Sequence, residues 1–416
     1  MTRVRYSHPV NVTAPGDGST AVRTDSDAIR VLDITKFYSG VSGGVKTYLD
    51  AKIRDFASRE ITHTLVIPDA ETATSQVGRT RIYRLQGPTI PFARDYRLIV
   101  SGRALEEILR RERPDVIEVG SPFLVPWLVR WAARERPVRI IGFYHADLIR
   151  TYAEPLTRGV RSLATPLATA AARVYSRAAY GRLDVTLTAS ESVASELRAI
   201  GLRQVRVIPF GVDLDEFTPS LRGPELREQL GVEPGVPVAL YVGRLCEEKR
   251  LNVVLEAHRR LPLETRPHLV FVGDGPQRAA LEREARRRPR FDLLPYQSSR
   301  RSLARLYASA DLYLAPGPGE TFGLSIAEAL ASGLPVVAVA SGAAPDRLQG
   351  SPCGRLYRRD DAAACAAAIQ SILPALGDEL RAAARSHAEA NFDWTRTFDL
   401  LCELYRELAW ARRRCA

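Results

Sequence analysis

"GETFGLSIAEALASGLPVVA", residues 319–338, carries the reading that decides the fold. Gly333 stands where a helix C-cap calls for positive φ, and Pro335 stops the helix two residues later. Val336, Val337 and Val339 follow as a core strand. From Phe322 to Ala331 the segment is apolar on nearly every face, which predicts a helix buried all round with Glu328 as its only charge. Glu320 lies just ahead of it, beside Gly317 and Gly319. A glutamate is seldom fully buried unless something pairs with it. The neighbouring sequence offers no cation to either glutamate, so a ligand is expected to complete their hydrogen bonding.

The same helix-then-strand rhythm runs through the chain and predicts an α/β protein with parallel sheets. Six strands are expected first: "IRVLDIT" (29–35), "THTLVIP" (62–68), "DVIEVG" (115–120), "VRIIGFY" (138–144), "DVTLTAS" (184–190) and "VRVIPFG" (205–211). After the turn-rich "VDLDEFTPSLRG" (212–223) come "PVALYVG" (237–243), "HLVFVG" (268–273), "FDLLPY" (291–296), "DLYLAPG" (311–317) and "PVVAVA" (335–340). Two series mean two doubly wound, Rossmann-like domains facing one cleft, over 29–212 and 213–392. Residues 1–28, rich in Ser, Thr, Asp, Gly and Pro, are expected to form a flexible arm. Residues 393–416 should form a helix with a Leu400, Leu401, Leu404, Tyr405 and Leu408 stripe that packs back toward the first domain.

A chain of 416 residues, 45% hydrophobic, has room for two cores. No run of eighteen apolar residues predicts a membrane span, and the N-terminus lacks the pattern of a signal peptide, so a cytoplasmic protein is expected. Five cysteines without C-x-x-C spacing argue against a zinc site and fit a reducing compartment. The net charge of +11 is either a solvated basic surface or an attraction to something anionic. Only four of the 59 basic residues are lysine: Lys36, Lys46, Lys52 and Lys249. In so arginine-rich a chain, each lysine is a candidate for a specific need, a compact charge for phosphate above all.

"YVGRLCEEKR" (241–250) reads as strand, glycine turn and helix, with Arg244 and Lys249 at the helix mouth. Backbone N–H groups and the dipole there favour an anion, and two cations favour a diphosphate. Ordinary pairing of the two with Glu247 and Glu248 is the plainer alternative. "SGVSGGVKTYL" (39–49) is neither a full dinucleotide fingerprint nor a P-loop, and a tight turn explains it as well as an approach to phosphate. "FYHAD" (143–147) puts His145 and Asp147 just past a strand end, where a structural histidine reads the same way as a functional one. "FVGDGPQ" (271–277) sets Gly273 on the cleft side of another turn. Glu328 suits a ribose diol, since a carboxylate can accept two hydroxyl protons. Phe322, Gly323 and Leu324 offer N–H groups at a helix start.

Together these motifs resemble a retaining glycosyltransferase of the GT-B fold, glycosyltransferase family 4. The resemblance rests on the E-x7-E spacing of Glu320 and Glu328, on Arg244 and Lys249, and on "VIPFGVD" (207–213), "VGDGP" (272–276) and "ASADLYLAPG" (308–317). In the first half "SGGV", "FYHAD" and "TLTASES" (186–192) carry it less specifically, and Ser325 departs from the aliphatic residue often found there. The resemblance implies that Arg244 and Lys249 hold the donor diphosphate, Glu328 the ribose and Glu320 the donor sugar. It also implies that Phe322, Gly323, Leu324, Gly44 and Gly273 line the donor site and that His145 lies by the reaction centre. It implies transfer of a hexose, mannose or glucose, from a nucleotide diphosphate sugar to a lipid or glycan hydroxyl, with no metal or other cofactor required. The first domain would take the acceptor and the second the nucleotide sugar.

The Arg-rich stretch 158–182, with Leu163, Leu167 and Val174 among Arg161, Arg173, Arg177 and Arg182, is a candidate for peripheral docking on an anionic membrane; a core-packed helix with a solvated basic face is the alternative. A sugar-nucleotide epimerase of the same fold is the nearest rival function, disfavoured by motif order. A nucleic-acid-binding protein is the rival from another class, disfavoured because the arginines are dispersed and aromatics make up only 7%.

Overall fold

The computed structural model describes residues 28–38, 43–90, 93–145 and 164–413. All but the last residue of the expected arm 1–28, and also Asp147, Arg161, Leu163 and Cys415, lie outside the described residues. The first half builds β1 (Ile29–Ile34), β2 (Ile61–Asp69), β3 (Ala73–Val77), β4 (Thr80–Gln86), the short pair β5 (Thr89–Ile90) and β6 (Ala93–Arg97), β7 (Val116–Val119), β8 (Arg139–Phe143), β9 (Val185–Thr188) and β10 (Val205–Val207). Eight of these form one sheet in the order β10-β9-β8-β7-β1-β2-β4-β3. The second half builds β11 (Val238–Val242), β12 (His268–Val272), β13 (Phe291–Leu294), β14 (Leu312–Ala315), β15 (Val336–Val339) and β16 (Gly354–Tyr357), ordered β13-β12-β11-β14-β15-β16.

The second sheet is parallel throughout. The first is parallel except at one edge, where β3 runs antiparallel to β4. A two-residue connection with Gly78 at φ +56 turns the chain straight back there and leaves no room for the crossover helix that parallel strands need. The expected parallel sheets are thus extended by one antiparallel edge strand, β3, which was not among the expected strands. Its sequence, ATSQV, is mostly exposed and offers no apolar run to betray a strand.

Strands such as β7, β12, β14 and β15 are buried along their whole length because apolar clusters cover both faces of each sheet. The strand order reverses beside β1, between β2 and β7, and beside β11, between β12 and β14. In doubly wound sheets such reversals open crevices at the C-terminal strand ends.

The chain passes between the sheets twice, side by side. Val212 forms a parallel bridge with Asp393, and Val212 N–H donates to the Phe392 carbonyl at 2.9 Å. A Cβ at Gly211 would fall 2.3 Å from the backbone nitrogen of Trp394, so only glycine fits that crossing. The helix Trp394–Arg413 then returns to the first sheet, where Phe398, Leu401, Leu404 and Tyr405 join the cluster of Val31, Phe143 and Leu187.

Candidate active site

The second sheet supplies two turns. Past β11, Gly243 and Arg244 lead into a short 3-10 turn, Glu247–Lys249, and only then into the helix Leu251–Arg260. Lys249 thus sits on a separate turn, one step ahead of the helix mouth expected from sequence. The turn after β12 braces this one. Leu245 N–H donates to the Asp274 carbonyl at 2.8 Å, and Gln277 N–H donates to the Leu245 carbonyl at 2.9 Å. A Cβ at Gly273 would lie 2.0 Å from the Gly243 carbonyl oxygen, so Gly273 permits two strand-end turns to touch.

Past β14 comes the loop of the two glutamates. Lys249 Nζ donates to Glu320 Oε1, and Gly317 makes room, since a Cβ there would stand 3.0 Å from Lys249 Cδ. Burial opposes the Lys249 charge, but the Glu320 and Glu248 carboxylates outweigh it and hold the ammonium above the usual lysine range. Arg244 is exposed and pairs with no carboxylate among the described residues. The plainer expectation, Glu247 and Glu248 as partners of Arg244 and Lys249, holds in part: Glu248 acts on the Lys249 charge, but the hydrogen bond of Lys249 goes across to Glu320.

The helix Leu324–Ala331 starts after Gly323 at φ +62, a left-handed cap, two residues later than Phe322. Arg347, itself buried, fixes this cap: its Nε donates to the Phe322 carbonyl and its Nη1 to the Phe210 carbonyl, both at 2.8 Å. Glu328 is buried, as expected, but it has protein partners. Tyr307 donates its hydroxyl to Glu328 Oε2 at 3.3 Å, and Arg300 Nη1 stands 4.0 Å from Oε1. Burial pushes the Glu328 carboxyl up to about 7, against the pull of Arg300. The expectation that neither glutamate has a cation is therefore corrected. Lys249 and Arg300 come from 71 and 28 residues away in the chain, and only folding brings them in.

The first sheet faces this loop. Gly44 opens the helix Gly44–Phe56, and a Cβ there would meet Leu324 Cδ1 at 3.1 Å and Phe322 Cδ2 at 3.2 Å. Phe322 stacks on Phe210 with centroids 4.5 Å apart, and it stands edge-on to His145 at 5.2 Å. His145 stacks on Phe143 at 4.6 Å, and its carbonyl accepts from Thr321 Oγ1 at 3.1 Å. Its Nδ1 is buried without a hydrogen-bond partner among the described residues. Burial pulls its imidazole down to about 3, so it is neutral at neutral pH. His145, Gly44, Phe322 and Leu324 are thus brought together, with Glu320 and Lys249 on the same loop system. Gly273 serves the turn behind them, and Glu328 lies a turn further into its helix.

Sequence reasoning missed Arg300, Tyr307 and Arg347. It also missed a buried polar cluster beneath His145. Lys52 Nζ donates to Asp33 Oδ1 at 2.9 Å, to Glu118 Oε2 at 3.1 Å and to the Tyr405 hydroxyl at 2.7 Å. His63 and Tyr48 complete it on Asp33 and Glu118. The argument that singled out Glu328, one charge inside an apolar run, applies equally to Asp33 in "IRVLDIT" and Glu118 in "DVIEVG". Among the described residues no group of three or more His, Cys, Asp or Glu is arranged to hold a metal ion.

Residues 42–216 match the family described as Glycosyltransferase Family 4, and residues 236–374 match Glycosyl transferases group 1. The chain is 31% identical over 371 residues to a GDP-mannose-dependent alpha-(1-6)-phosphatidylinositol dimannoside mannosyltransferase of Mycobacterium tuberculosis, covering 88% of this chain and 93% of that one. It is 32% identical over 327 residues to a sulfoquinovosyl transferase of Arabidopsis thaliana, covering 76% of this chain and 61% of that one. Its fold matches a sucrose-phosphate synthase from Thermosynechococcus elongatus with TM-score 0.74 at 22% identity, over 92% of this chain and 100% of that one. An Anabaena protein in complex with UDP matches with TM-score 0.67 at 17% identity, over 91% and 99%. The chain has the GT-B fold and belongs to glycosyltransferase family 4.

Proposed function

We propose that this glycosyltransferase moves mannose from GDP-mannose to a hydroxyl of a glycolipid or glycan acceptor, with retention at the anomeric carbon. The observation that carries the reading is the tie between Thr321 and His145, which joins the two-glutamate loop of the second sheet to the strand ends of the first. Similarity to the mannosyltransferase, which is GDP-mannose-dependent, supports the choice of sugar and base. In this reading Arg244 and Lys249 hold the diphosphate and meet the charge that grows as it leaves, the interaction that counts most in such steps. Glu328 accepts from the ribose diol and Glu320 from a donor-sugar hydroxyl. The Phe322–Leu324 segment presents N–H groups, and Gly44 and Gly273 let backbone come close to the phosphates.

The acceptor hydroxyl enters from the first sheet and attacks C1 on the face the diphosphate leaves. The C1–oxygen bond to phosphate breaks with its electron pair going to GDP, and the acceptor proton passes to the leaving phosphate oxygen. His145, neutral and without a proton to spare, orients the sugar and does not act as an acid. The two cations serve the charge without a metal.

A thermal-shift screen of UDP, GDP, ADP and their sugar conjugates in metal-free buffer tests this. A ligand that binds only the folded chain must raise its melting temperature. A shift with GDP and GDP-mannose is expected; a shift with UDP alone would replace the base, and no shift at all would sink the donor site.

No helix among the described residues is long and apolar enough to cross a membrane. On the helix Ala164–Tyr180, Leu167 and Val174 are each 70% exposed, beside exposed Arg173 and Arg177. We infer peripheral association with an anionic surface. Sedimentation with anionic vesicles should show binding that fades with salt; none at low salt would refute it.

A further inference from the structure

Lys36 is one of the four lysines, and the donor site makes no use of it. It follows β1 at the strand-order reversal of the first sheet, and it is only 7% exposed. Its ammonium lies 3.9 Å from the ring centroid of Phe123 and 5.0 Å from that of Phe37. Among the described residues no carboxylate and no hydrogen-bond acceptor pairs with it. Burial pulls it down to about 8, with no acidic neighbour among the described residues to offset this. Lys46, Lys52 and Lys249, by contrast, each hold a carboxylate.

The location is specific. Thr35 donates its hydroxyl to the Gly120 carbonyl at 3.0 Å. A Cβ on Gly120 would stand 3.1 Å from both Thr35 Cβ and His145 Nε2, so Thr35, next to Lys36 in the chain, and His145 both pack against this glycine. Outward from Lys36 runs an aromatic wall. Phe123 lies 6.4 Å from Tyr175, and Tyr175 lies 5.5 Å from Trp127. The Tyr175 hydroxyl donates to the Pro122 carbonyl at 3.1 Å, which fixes the ring. Trp127 and Tyr175 are both 36% exposed. All of these residues belong to the first sheet and its helices, whereas Gly44, on the donor side, touches Phe322 and Leu324.

A buried ammonium with aromatic faces and no counter-ion among the described residues is costly unless an anion arrives. We infer that Lys36 is the anion contact of the acceptor, and that the acceptor carries a phosphate group next to a body that lies on Phe123, Tyr175 and Trp127. This rests on the reading above that the acceptor enters from the first sheet. A free phosphorylated polyol and a phospholipid headgroup share this chemistry.

The test is titration calorimetry of the whole chain, with and without GDP, using three probes: inositol 1-phosphate, phosphatidylinositol in neutral detergent micelles, and inositol. Binding of either phosphate-bearing probe but not of inositol is expected; the soluble probe alone indicates a free phosphate ester, the lipid alone a headgroup. Lys36→Met, which keeps an apolar chain between the rings, should weaken that binding by about 10- to 100-fold, the range for a lost charge-assisted hydrogen bond. Lys36→Arg should retain most of it. The donor-induced melting shift should persist in both variants. The inference is overturned if neither phosphate-bearing probe binds, if Lys36→Met binds them as wild type does, or if Lys36→Met loses the GDP shift, which would make Lys36 a donor contact. A wild-type chain that binds the phosphate probes but shows no shift with any nucleotide would refute the donor reading and leave the Lys36 contact standing.

Discussion

Glu328 shows what a single side chain can report. Its carboxyl is raised from an ordinary value of 4.5 to about 7 by burial. Between those values the folded chain holds a proton that the unfolded chain has lost, so stability falls as pH rises through that window. Glu328→Gln should flatten that part of a melting-temperature profile from pH 5 to pH 8. An ionised Glu328 is also the better acceptor for a diol, so GDP affinity should weaken below pH 7 in wild type and lose that dependence in the variant. Lys249→Ala tests the neighbouring role. It should cut turnover by about 100-fold or more, as loss of a preorganised charge contact does. Wild-type turnover in a steady-state assay would refute the phosphate role. Glu328 was legible in the sequence because one charge in an apolar run must be answered, and Glu320 because it stands beside Gly317 and Gly319 just ahead of that run. Their partners were not, because Lys249 and Arg300 become neighbours only through the packing of separate turns.

The element that matters most is the strand-end turn. Three turns, after β11, β12 and β14, meet at the same end of the second sheet because parallel strands all point that way. Gly273 is where two of them touch, at φ +148 and with no space for a Cβ beside the Gly243 carbonyl. Gly273→Ala should therefore destabilise the chain by about 2 kcal/mol or more, the scale of strain at special backbone positions. Denaturant unfolding would measure it, and a parallel loss of the nucleotide shift would show that the Arg244 turn moved with it. An unchanged midpoint would refute the close approach. The glycines were visible in the sequence as turn formers. That Gly273 supports the turn of Arg244 from behind follows only from the register of β11 against β12.

Across the whole molecule, a few contacts set one sheet against the other. Ser192 donates its backbone N–H at 3.0 Å and its hydroxyl at 2.8 Å to the two oxygens of Asp346. Arg347 ties the two-glutamate loop to Phe210, and the last helix brings Tyr405 to Glu118 at 2.5 Å, with Lys52 beneath. Tyr405→Phe would leave two buried groups one hydrogen bond short, at a cost of about 1–3 kcal/mol, read as a lower unfolding midpoint. Asp346→Ala should raise the KM for donor with little change in the melting temperature, because Asp346 and its partner Ser192 belong to opposite halves of the chain. Equal stability and equal KM would show that the Ser192 contact is incidental. The sequence alone determined two α/β layers of mainly parallel strands, eleven of those strands, and the burial of Glu328. Those follow from hydrophobic periodicity and from turn residues, which act over a few positions. Only the tertiary structure decided which cation answers which carboxylate, that β3 turns back, and that Asp33, Lys52 and Glu118 share one buried network. Pairings across tens or hundreds of residues depend on packing and register, and no local pattern encodes them.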